Sequence, residues 1–261
     1  MELLPAVEPA PQPEAAQAAP ALPAQVVDVP TRPGVTQRLL VLRPAQPRAA
    51  VVLLAGGHGG LQIQGDGTLK WGGGNFLVRT RQQFAAQDLL VAVLDAPSDR
   101  QRQPFLSGFR QTPEHLADLK AVIAWLRAGT GLPVWLVGTS RGTQSAAYAA
   151  TELTGPAGPD GVVLSATILR DPRSRAVPAL PLQAIRVPVL VVHHERDGCP
   201  LCAYADLPLL TERLTAAPRS ALLPVRGGQD VGDPCEAQAH HGFNGVETPV
   251  VRQTAAWMLA R

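Results

Sequence analysis

The segment that decides the fold reads VWLVGTSRGTQSAAYAA and runs from residue 134 to residue 150. Its first four residues are an unbroken apolar run, which is typical of a strand buried on both faces, and its end is compatible with a helix. Ser140 lies between these two parts, with Gly138 two residues before it and Gly142 two residues after it. Glycines at these spacings remove the side chains that would clash in a sharp strand-to-helix turn.

A serine on such a turn places its hydroxyl at a helix N-terminus, where the helix dipole favours developing negative charge. The pattern Gly-x-Ser-x-Gly is short, and an ordinary glycine-bounded turn with Ser140 as a helix N-cap would also produce it. The apolar run before it and the helical sequence after it favour the other interpretation. We therefore predict that Ser140 is a catalytic nucleophile.

Outward from this segment, strand-like and helix-like patterns alternate along the chain. Because the strands read as Val- and Leu-rich runs separated by helices, the pattern predicts a mostly parallel sheet covered by helices on both faces. A short turn at Arg32-Pro33-Gly34 indicates that the first two strands are antiparallel. The predicted strands span residues 26–29, 38–42, 49–55, 89–94, 133–138, 161–169, 187–193 and 221–225. The predicted helices span residues 75–88, 112–128, 140–154, 204–217 and 247–259.

Length and composition predict one globular domain that follows an Ala/Pro-rich amino-terminal segment. The chain has 261 residues, of which 46% are hydrophobic and 17% are charged, enough for a large core. Residues 1–24 are rich in Ala and Pro, so we predict a disordered or extended leader there and a single domain over residues 25–261. The net charge of +2, without a long basic run, argues against nucleic acid as a partner.

The location of the protein in a cell stays open at this stage. No apolar stretch is long enough to span a bilayer, so we predict no membrane span. Residues 1–30 lack a basic start followed by an apolar core and do not match an intact signal peptide, although a remnant of one would look similar. The leader is compatible with either a cytoplasmic or an exported protein, and the oligomeric state is not indicated.

The turn around Ser140 and the order of the strands resemble the α/β-hydrolase superfamily. The resemblance covers essentially everything after the leader and is nearest to small, almost cap-less members such as dienelactone-hydrolase-like esterases. It implies an α/β-hydrolase fold and a catalytic triad in the chain order serine, acid, histidine, with no cofactor. Residues 170–186 are rich in Pro and Arg rather than helical. A large lid is therefore not expected, and the site should be open.

The resemblance also implies positions for the acid and the base. The acid is expected in a turn after a late strand, where Asp197 precedes a glycine and fits best, with Glu195 as the alternative. The histidine is expected in the loop before the last helix, in a His-Gly-Phe context, which selects His241. The adjacent His240 remains an alternative base.

The family's oxyanion hole is built from two backbone N–H groups. One is expected from Arg141, the residue after the nucleophile. The other is expected from the glycine-rich loop at residues 56–60, with His58 or Gly57 as the donor. A merely flexible glycine loop would have the same sequence. The absence of Cβ atoms would let the backbone of such a loop approach a substrate.

The three cysteines allow more than one interpretation. Cys199 lies close to the predicted acid and Cys235 close to the predicted base, so a disulfide between them would join the two loops in an oxidising compartment. Cys202 would then be free and buried. A thioredoxin-like redox motif at 199–202 or a zinc site with nearby histidines is the alternative, but the ligand spacing fits no standard zinc pattern. We expect neither a metal nor another cofactor.

Taken together, these expectations describe a serine hydrolase that cleaves small carboxylic esters, lactones or thioesters through an acyl-enzyme. Its partner would be a small-molecule ester substrate. The same triad would serve a peptidase or an acyltransferase. A catalytically silent binding protein with this fold is the non-enzymatic alternative, and it would need a triad residue to be missing.

Overall fold

The computed structural model describes residues 1–9 and 21–260, which form one nine-stranded sheet flanked by helices. The strands are β1 (Glu2–Leu3), β2 (Ala24–Arg32), β3 (Val35–Leu42), β4 (Ala49–Leu54), β5 (Leu89–Pro97), β6 (Val134–Thr139), β7 (Gly161–Ser165), β8 (Val189–His194) and β9 (Ser220–Val225). The helices are α1 (Phe76–Arg79), α2 (Arg81–Ala85), α3 (Pro113–Thr130), α4 (Gly142–Glu152), α5 (Pro208–Thr211) and α6 (Glu247–Leu259).

The sheet order is β1-β9-β8-β7-β6-β4-β5-β3-β2, with β6 near the middle. Within the described part of the chain, the pairings of β3 with β2 and with β5 are antiparallel, and the other strand pairings are parallel. This arrangement confirms the predicted mostly parallel sheet with an antiparallel start. Because the carboxyl ends of parallel strands meet at one edge, the loops after β4, β6 and β8 gather there, and ligand sites in such sheets form in that place.

The core divides into two layers, one on each face of the sheet. Along β4, Val51 and Leu53 pack against α1, α2 and α6, while Val52 and Leu54 pack against α3 and α4. This alternation is the period of two that a strand imposes, and all six residues of β4 are buried. The apolar run in the sequence thus reflects helices on both faces.

No large cap covers the sheet within residues 166–188, all of which the structure describes. This stretch contains only two short 3₁₀ turns, at Val177–Ala179 and Leu182–Ala184. The prediction of an open fold without a large lid therefore agrees with the structure. Across residues 1–9 and 21–260, no helix combines the length and the apolar character needed to cross a bilayer.

Two predicted helices are shorter or interrupted in the structure. The helix expected over 75–88 breaks at Thr80 into α1 and α2; the Thr80 hydroxyl donates to the carbonyl of Phe76 at 2.7 Å. Asn75 caps α1 as expected, since its side chain accepts from the N–H of Leu77. The helix expected over 204–217 is a 3₁₀ turn followed by the single turn α5. Pro208 begins α5 and has no N–H to continue a helix from the preceding turn.

Residues 1–9 of the amino-terminal segment lie along the sheet, in the extended rather than the disordered form predicted for the leader. Residues 2–3 form β1, which pairs with β9 in the register of Glu2 with Ala221. The N–H of Val7 donates to the carbonyl of Pro224 at 2.8 Å, and the Val7 side chain is fully buried. The Ala/Pro-rich composition of residues 1–24 gave no sign that an apolar residue such as Val7 would be buried. Burial of this side chain offsets part of the cost of ordering the segment. Residues 10–20 of the expected leader lie outside the described residues.

A buried polar contact joins α3 to α4. His115 and Ser145 are both completely buried, and Nε2 of His115 lies 2.9 Å from Oγ of Ser145. Burial, together with the positive charges of Arg110 and Arg32, lowers the pKa of His115 to about 3. The imidazole is therefore neutral in the folded protein at any pH near neutrality.

This contact predicts a specific acid sensitivity. The folded-state pKa of His115 lies below its unfolded value. The contribution of this residue to the unfolding free energy is therefore fully present above pH 6.5 and is lost as the pH falls towards 3. Between pH 7 and 4.5 the loss from this residue should be about 2.5 kcal/mol, because well below pH 6.5 each pH unit costs about 1.36 kcal/mol. Urea unfolding at pH 7 and pH 4.5 should show that His115→Gln loses less stability on acidification than the wild type. An equal loss in both proteins would contradict the assignment.

Candidate active site

Ser140 occupies a sharp turn between the end of β6 and the start of α4. Its φ angle is 51°, in the left-handed region that non-glycine residues rarely adopt. A Cβ atom at Gly142 would lie 1.9 Å from the carbonyl oxygen of Leu54 in β4, and one at Gly138 would lie 2.6 Å from the carbonyl oxygen of Gly142. The two glycines are thus required because the turn packs directly against backbone, which is the geometry of a nucleophile elbow.

Asp197 and His241 meet at the carboxyl end of β8. Nδ1 of His241 lies 2.9 Å from Oδ2 of Asp197, and both side chains are buried. The second carboxylate oxygen of Asp197 accepts from the N–H of Cys199 at 2.9 Å. His193 also lies beside the carboxylate, with its Nε2 3.6 Å from Oδ2, but that nitrogen donates to the carbonyl of Cys202 at 2.6 Å. The carboxylate is therefore held by His241 and by the N–H of Cys199, and it fixes the orientation of the His241 ring through Nδ1.

The opposite nitrogen of His241 is not engaged by the protein. Its Nε2 is buried and has no hydrogen-bond partner among the described residues. His241 and Ser140 line the same cavity of about 350 Å³, together with Gly56, Gly57, Trp71 and Phe76 among others. An imidazole held at Nδ1 by a carboxylate, with Nε2 unpartnered in a cavity that a serine also lines, has the arrangement needed for a general base.

The alternative acid and base lie elsewhere. Glu195 forms an ion pair with Arg226 at 2.8 Å, and the hydrogen bond from Arg226 holds the pKa of Glu195 below its usual value. His240 stacks on His194 with ring centroids 4.1 Å apart, and its Nδ1 lies 3.8 Å from Oδ2 of Asp230. Of the two histidines only His241 lines the cavity with Ser140, and of the two acids only Asp197 contacts His241. The geometry thus favours Asp197 and His241 over these two.

The glycine-rich loop after β4 lies directly over the elbow. A Cβ atom at Gly56 would be 2.9 Å from Cβ of Ser140, and Gly57 lines the cavity in a left-handed conformation with φ of 58°. The ring of His58 instead turns away into a stack between Trp71 and Phe105, with centroid distances of 3.9 and 4.5 Å. Of the two donors expected from this loop, Gly57 is the one whose backbone borders the cavity.

The carboxylate of Asp95 fixes the continuation of this loop. Oδ1 accepts from the N–H of Leu61 at 2.7 Å, and Oδ2 accepts from the N–H of Ile63 at 2.9 Å. Asp95 lies at the end of β5 and is 1% exposed, so the loop is anchored to the sheet rather than free. Sequence analysis missed this residue, although an acidic residue directly after an apolar strand could have marked it.

The cysteines form the disulfide that sequence analysis proposed. Cys199 is bonded to Cys235, and both residues line the cavity. Cys202 is free and fully buried, and burial raises the pKa of its thiol. Donor atoms of Cys199, Cys202 and His241 lie within 4.8 Å of one another, the grouping that a metal site would require. The Cys199 sulfur is engaged in the disulfide and is not a thiolate, so the observed state favours the covalent link between the acid and base loops.

Breaking this link should destabilise the protein measurably. The disulfide closes a loop over a sequence separation of 36 residues, and its loss from Cys199→Ser/Cys235→Ser should cost about 3–4 kcal/mol of unfolding free energy. Urea unfolding of the double variant and the wild type measures this difference. Cys202→Ala, which keeps the disulfide, is the control: dithiothreitol should destabilise it but not the double variant. Three titratable thiols in the unreduced wild type would contradict the pairing.

Comparisons with known proteins address the fold. No protein family model matches the chain, and no curated protein sequence matches it. Among solved structures, it resembles a dienelactone hydrolase from Anabaena variabilis at 16% identity, covering 90% of this chain and 96% of that one, with a TM-score of 0.61. A Pyrococcus furiosus esterase is similar at 14% identity, over 78% and 83% of the chains, with a TM-score of 0.58.

A larger neighbour extends the comparison to peptidases. An acylaminoacyl peptidase from Pyrococcus horikoshii matches at 11% identity over 91% of this chain but 41% of its own length, with a TM-score of 0.61. The strand order, the elbow at Ser140 and these likenesses establish that the chain has the α/β-hydrolase fold. This result confirms the fold expected from the sequence.

Proposed function

We propose that the protein is a serine hydrolase that cleaves carboxylic esters through an acyl-enzyme on Ser140. The observation that carries this proposal is that His241, held at 2.9 Å by the buried carboxylate of Asp197, lines the same cavity as a serine on a left-handed turn. Three residues separated by up to 101 positions (241 − 140) converge there in the order serine, acid, histidine. A fold alone does not require that convergence.

In the first half of the reaction, Oγ of Ser140 attacks the ester carbonyl and its proton passes to Nε2 of His241. Asp197 keeps the imidazole in the tautomer that carries its proton on Nδ1 and stabilises the imidazolium that forms. The leaving alcohol takes the proton from Nε2, and an ester bond to Ser140 remains. Water then attacks this acyl-enzyme with the same histidine as base, and the acid is released.

The developing oxyanion would be bound by backbone N–H groups of Arg141 and Gly57. Arg141 begins the turn into α4, where the helix dipole adds to the effect, and the Gly56–Gly57 backbone approaches Ser140 closely enough to exclude any Cβ at Gly56. Removing one such donor typically costs a factor of about 10² to 10³ in kcat, so both positions are central to the proposal.

The shape of the cavity supports a small substrate. Trp71, Phe76, Ile168 and Leu201 supply apolar walls around the serine, and the volume of about 350 Å³ matches a short acyl chain rather than a long lipid. Open access to this cavity, with no large cap over residues 166–188, is compatible with small esters or lactones.

Labelling with a fluorophosphonate probe tests the proposal. The probe should modify the wild type at Ser140 and leave Ser140→Ala unmodified, whereas Ser98→Ala, which removes an exposed hydroxyl outside the site, should label normally. A parallel panel of short-chain 4-nitrophenyl esters and N-acyl peptide anilides separates esterase from peptidase activity. Labelling that survives in Ser140→Ala would overturn the assignment of the nucleophile. Absence of labelling in the wild type would instead favour a silent binding protein.

A further inference from the structure

A second cavity adjoins the candidate active site at Arg141, which lines both. Its volume is about 520 Å³. Four of the residues around it are arginines, and none of its described lining residues carries a carboxylate. The four are Arg110, Arg141, Arg173 and Arg175.

Arg110 is the most unusual of these arginines, because its charge is buried and unpaired. It is 4% exposed and forms no ion pair with a carboxylate among the described residues. Its guanidinium donates to the carbonyls of Ala55 and Gly57, at 2.9 and 3.2 Å, and its Nε is buried without a partner. Burial, together with the charge of Arg141, lowers the pKa of Arg110 to about 9. An isolated buried charge is costly, and an anion nearby would offset that cost.

The remaining arginines add charge that the protein does not neutralise. Arg141 pairs with Asp171 at 2.7 Å. Arg173 and Arg175 form no ion pair among the residues the structure describes, although Nε of Arg175 donates to the side chain of Gln111 at 3.0 Å. Of the four guanidinium groups that line the cavity, only that of Arg141 is paired with a carboxylate among the described residues.

The loop that carries Arg173 and Arg175 is held in place beside α4. Nε2 of Gln144 donates to Oγ of Ser174 at 2.9 Å and to the carbonyl of Arg175 at 3.0 Å, and Gln111 also donates to that carbonyl. The cationic groups are thus presented on a fixed backbone beside the residue that follows the nucleophile. Preorganised guanidinium groups match the two oxygens of a carboxylate.

We propose that this second cavity binds a carboxylate carried by the substrate whose ester carbonyl reacts with Ser140. This inference rests on the proposed hydrolase function and names its substrate class, an ester with an anionic arm. Arg173 and Arg175 determine the preference for a substrate that carries a negative charge. Arg110 connects the subsite to the oxyanion loop through the carbonyl of Gly57.

Matched substrates test the charge preference. One series pairs the mono-4-nitrophenyl esters of succinate, glutarate and adipate with their neutral methyl esters, and places the carboxylate on the acyl side. A second pair, 4-carboxyphenyl acetate and phenyl acetate, places it on the alcohol side. In at least one series kcat/KM for the charged ester should exceed that for the neutral one by about tenfold or more, since charge-assisted hydrogen bonds are the strong ones.

Substitutions of the cavity arginines test whether the preference for charged esters arises in this cavity. In Arg173→Gln/Arg175→Gln the ratio of charged to neutral kcat/KM should fall by about tenfold, mainly through KM. Arg186→Gln, which removes an exposed arginine outside both cavities, should leave the ratio unchanged. Inorganic phosphate should raise KM for the charged ester more than for the neutral one. Equal rates for charged and neutral esters in every series, or a ratio that survives the double variant, would overturn the proposal.

A binding measurement separates this inference from the hydrolase function. Calorimetric titration of Ser140→Ala with the slowest-reacting charged ester should show binding that is lost when Arg173 and Arg175 are also replaced. Fluorophosphonate labelling without charge-dependent binding would refute the carboxylate subsite and leave the hydrolase intact. Charge-dependent binding without labelling would refute the nucleophile and leave the anion subsite standing.

Discussion

His241→Ala is expected to lower kcat for a neutral 4-nitrophenyl ester by about four to six orders of magnitude. His241 lines the cavity with Ser140 and its Nε2 has no partner among the described residues. Without this imidazole the serine hydroxyl keeps its proton at neutral pH. Asp197→Asn should lower kcat by about 10⁴, because an amide no longer selects the tautomer that leaves Nε2 free. Steady-state rates at neutral pH, with circular dichroism to verify folding, measure both effects.

His240→Ala is the matched control for this experiment. His240 stacks on His194 and lies beside Asp230 rather than in the cavity, so its loss should change kcat by less than about tenfold while removing some packing energy. If His240→Ala were inactive and His241→Ala active, the base would be assigned to the wrong histidine. If both variants were active, general-base catalysis by this loop would be excluded.

The methyl group that Gly142→Ala adds is expected to destabilise the fold strongly. The added Cβ would lie 1.9 Å from the carbonyl oxygen of Leu54, in a central strand, so either β4 or the elbow must move. We expect a loss of at least about 3 kcal/mol of unfolding free energy, together with loss of activity. Urea unfolding and ester turnover measure the two effects.

The chain offers a matched glycine for comparison. Gly129 lies in α3, and a methyl group added there would meet open space, with nothing within 4 Å of it. Gly129→Ala should therefore stabilise the protein by about 0.5–1 kcal/mol and leave turnover unchanged. A Gly142→Ala variant as stable as Gly129→Ala would show that the elbow does not pack as described.

Much of the fold follows from local sequence because its strands are buried on both faces. The runs that became β4, β5 and β6 are uninterrupted apolar segments, and only a covered parallel sheet accommodates them. The helix boundaries were less predictable. The break at Thr80 and the shortened turn at Pro208 depend on backbone geometry and tertiary packing, which outweigh an apolar periodicity.

Some residues of the candidate site could be predicted from the sequence and others could not. Ser140 carries a local pattern, so the sequence indicates it directly, whereas Asp197 and His241 are suggested only by order along the chain. The His-Gly-Phe context that the resemblance supplies already selected His241 over His240, and the contacts of the two rings favour the same residue. The second cavity could not be anticipated, since Arg110, Arg141 and the pair at 173 and 175 come from three separate segments that only the folded sheet brings together.

The pairing of β1 with β9 has a consequence for the biosynthesis of the protein. Glu2 and its partner Ala221 are 219 positions apart (221 − 2), so Glu2 is synthesised long before the strand it pairs with. This edge of the sheet therefore closes only after β9 has been synthesised, and a contact of such sequence separation is slow to form. Until then the nascent chain exposes the apolar surface that will receive Val7, and this interval is when assistance from a chaperone would matter most.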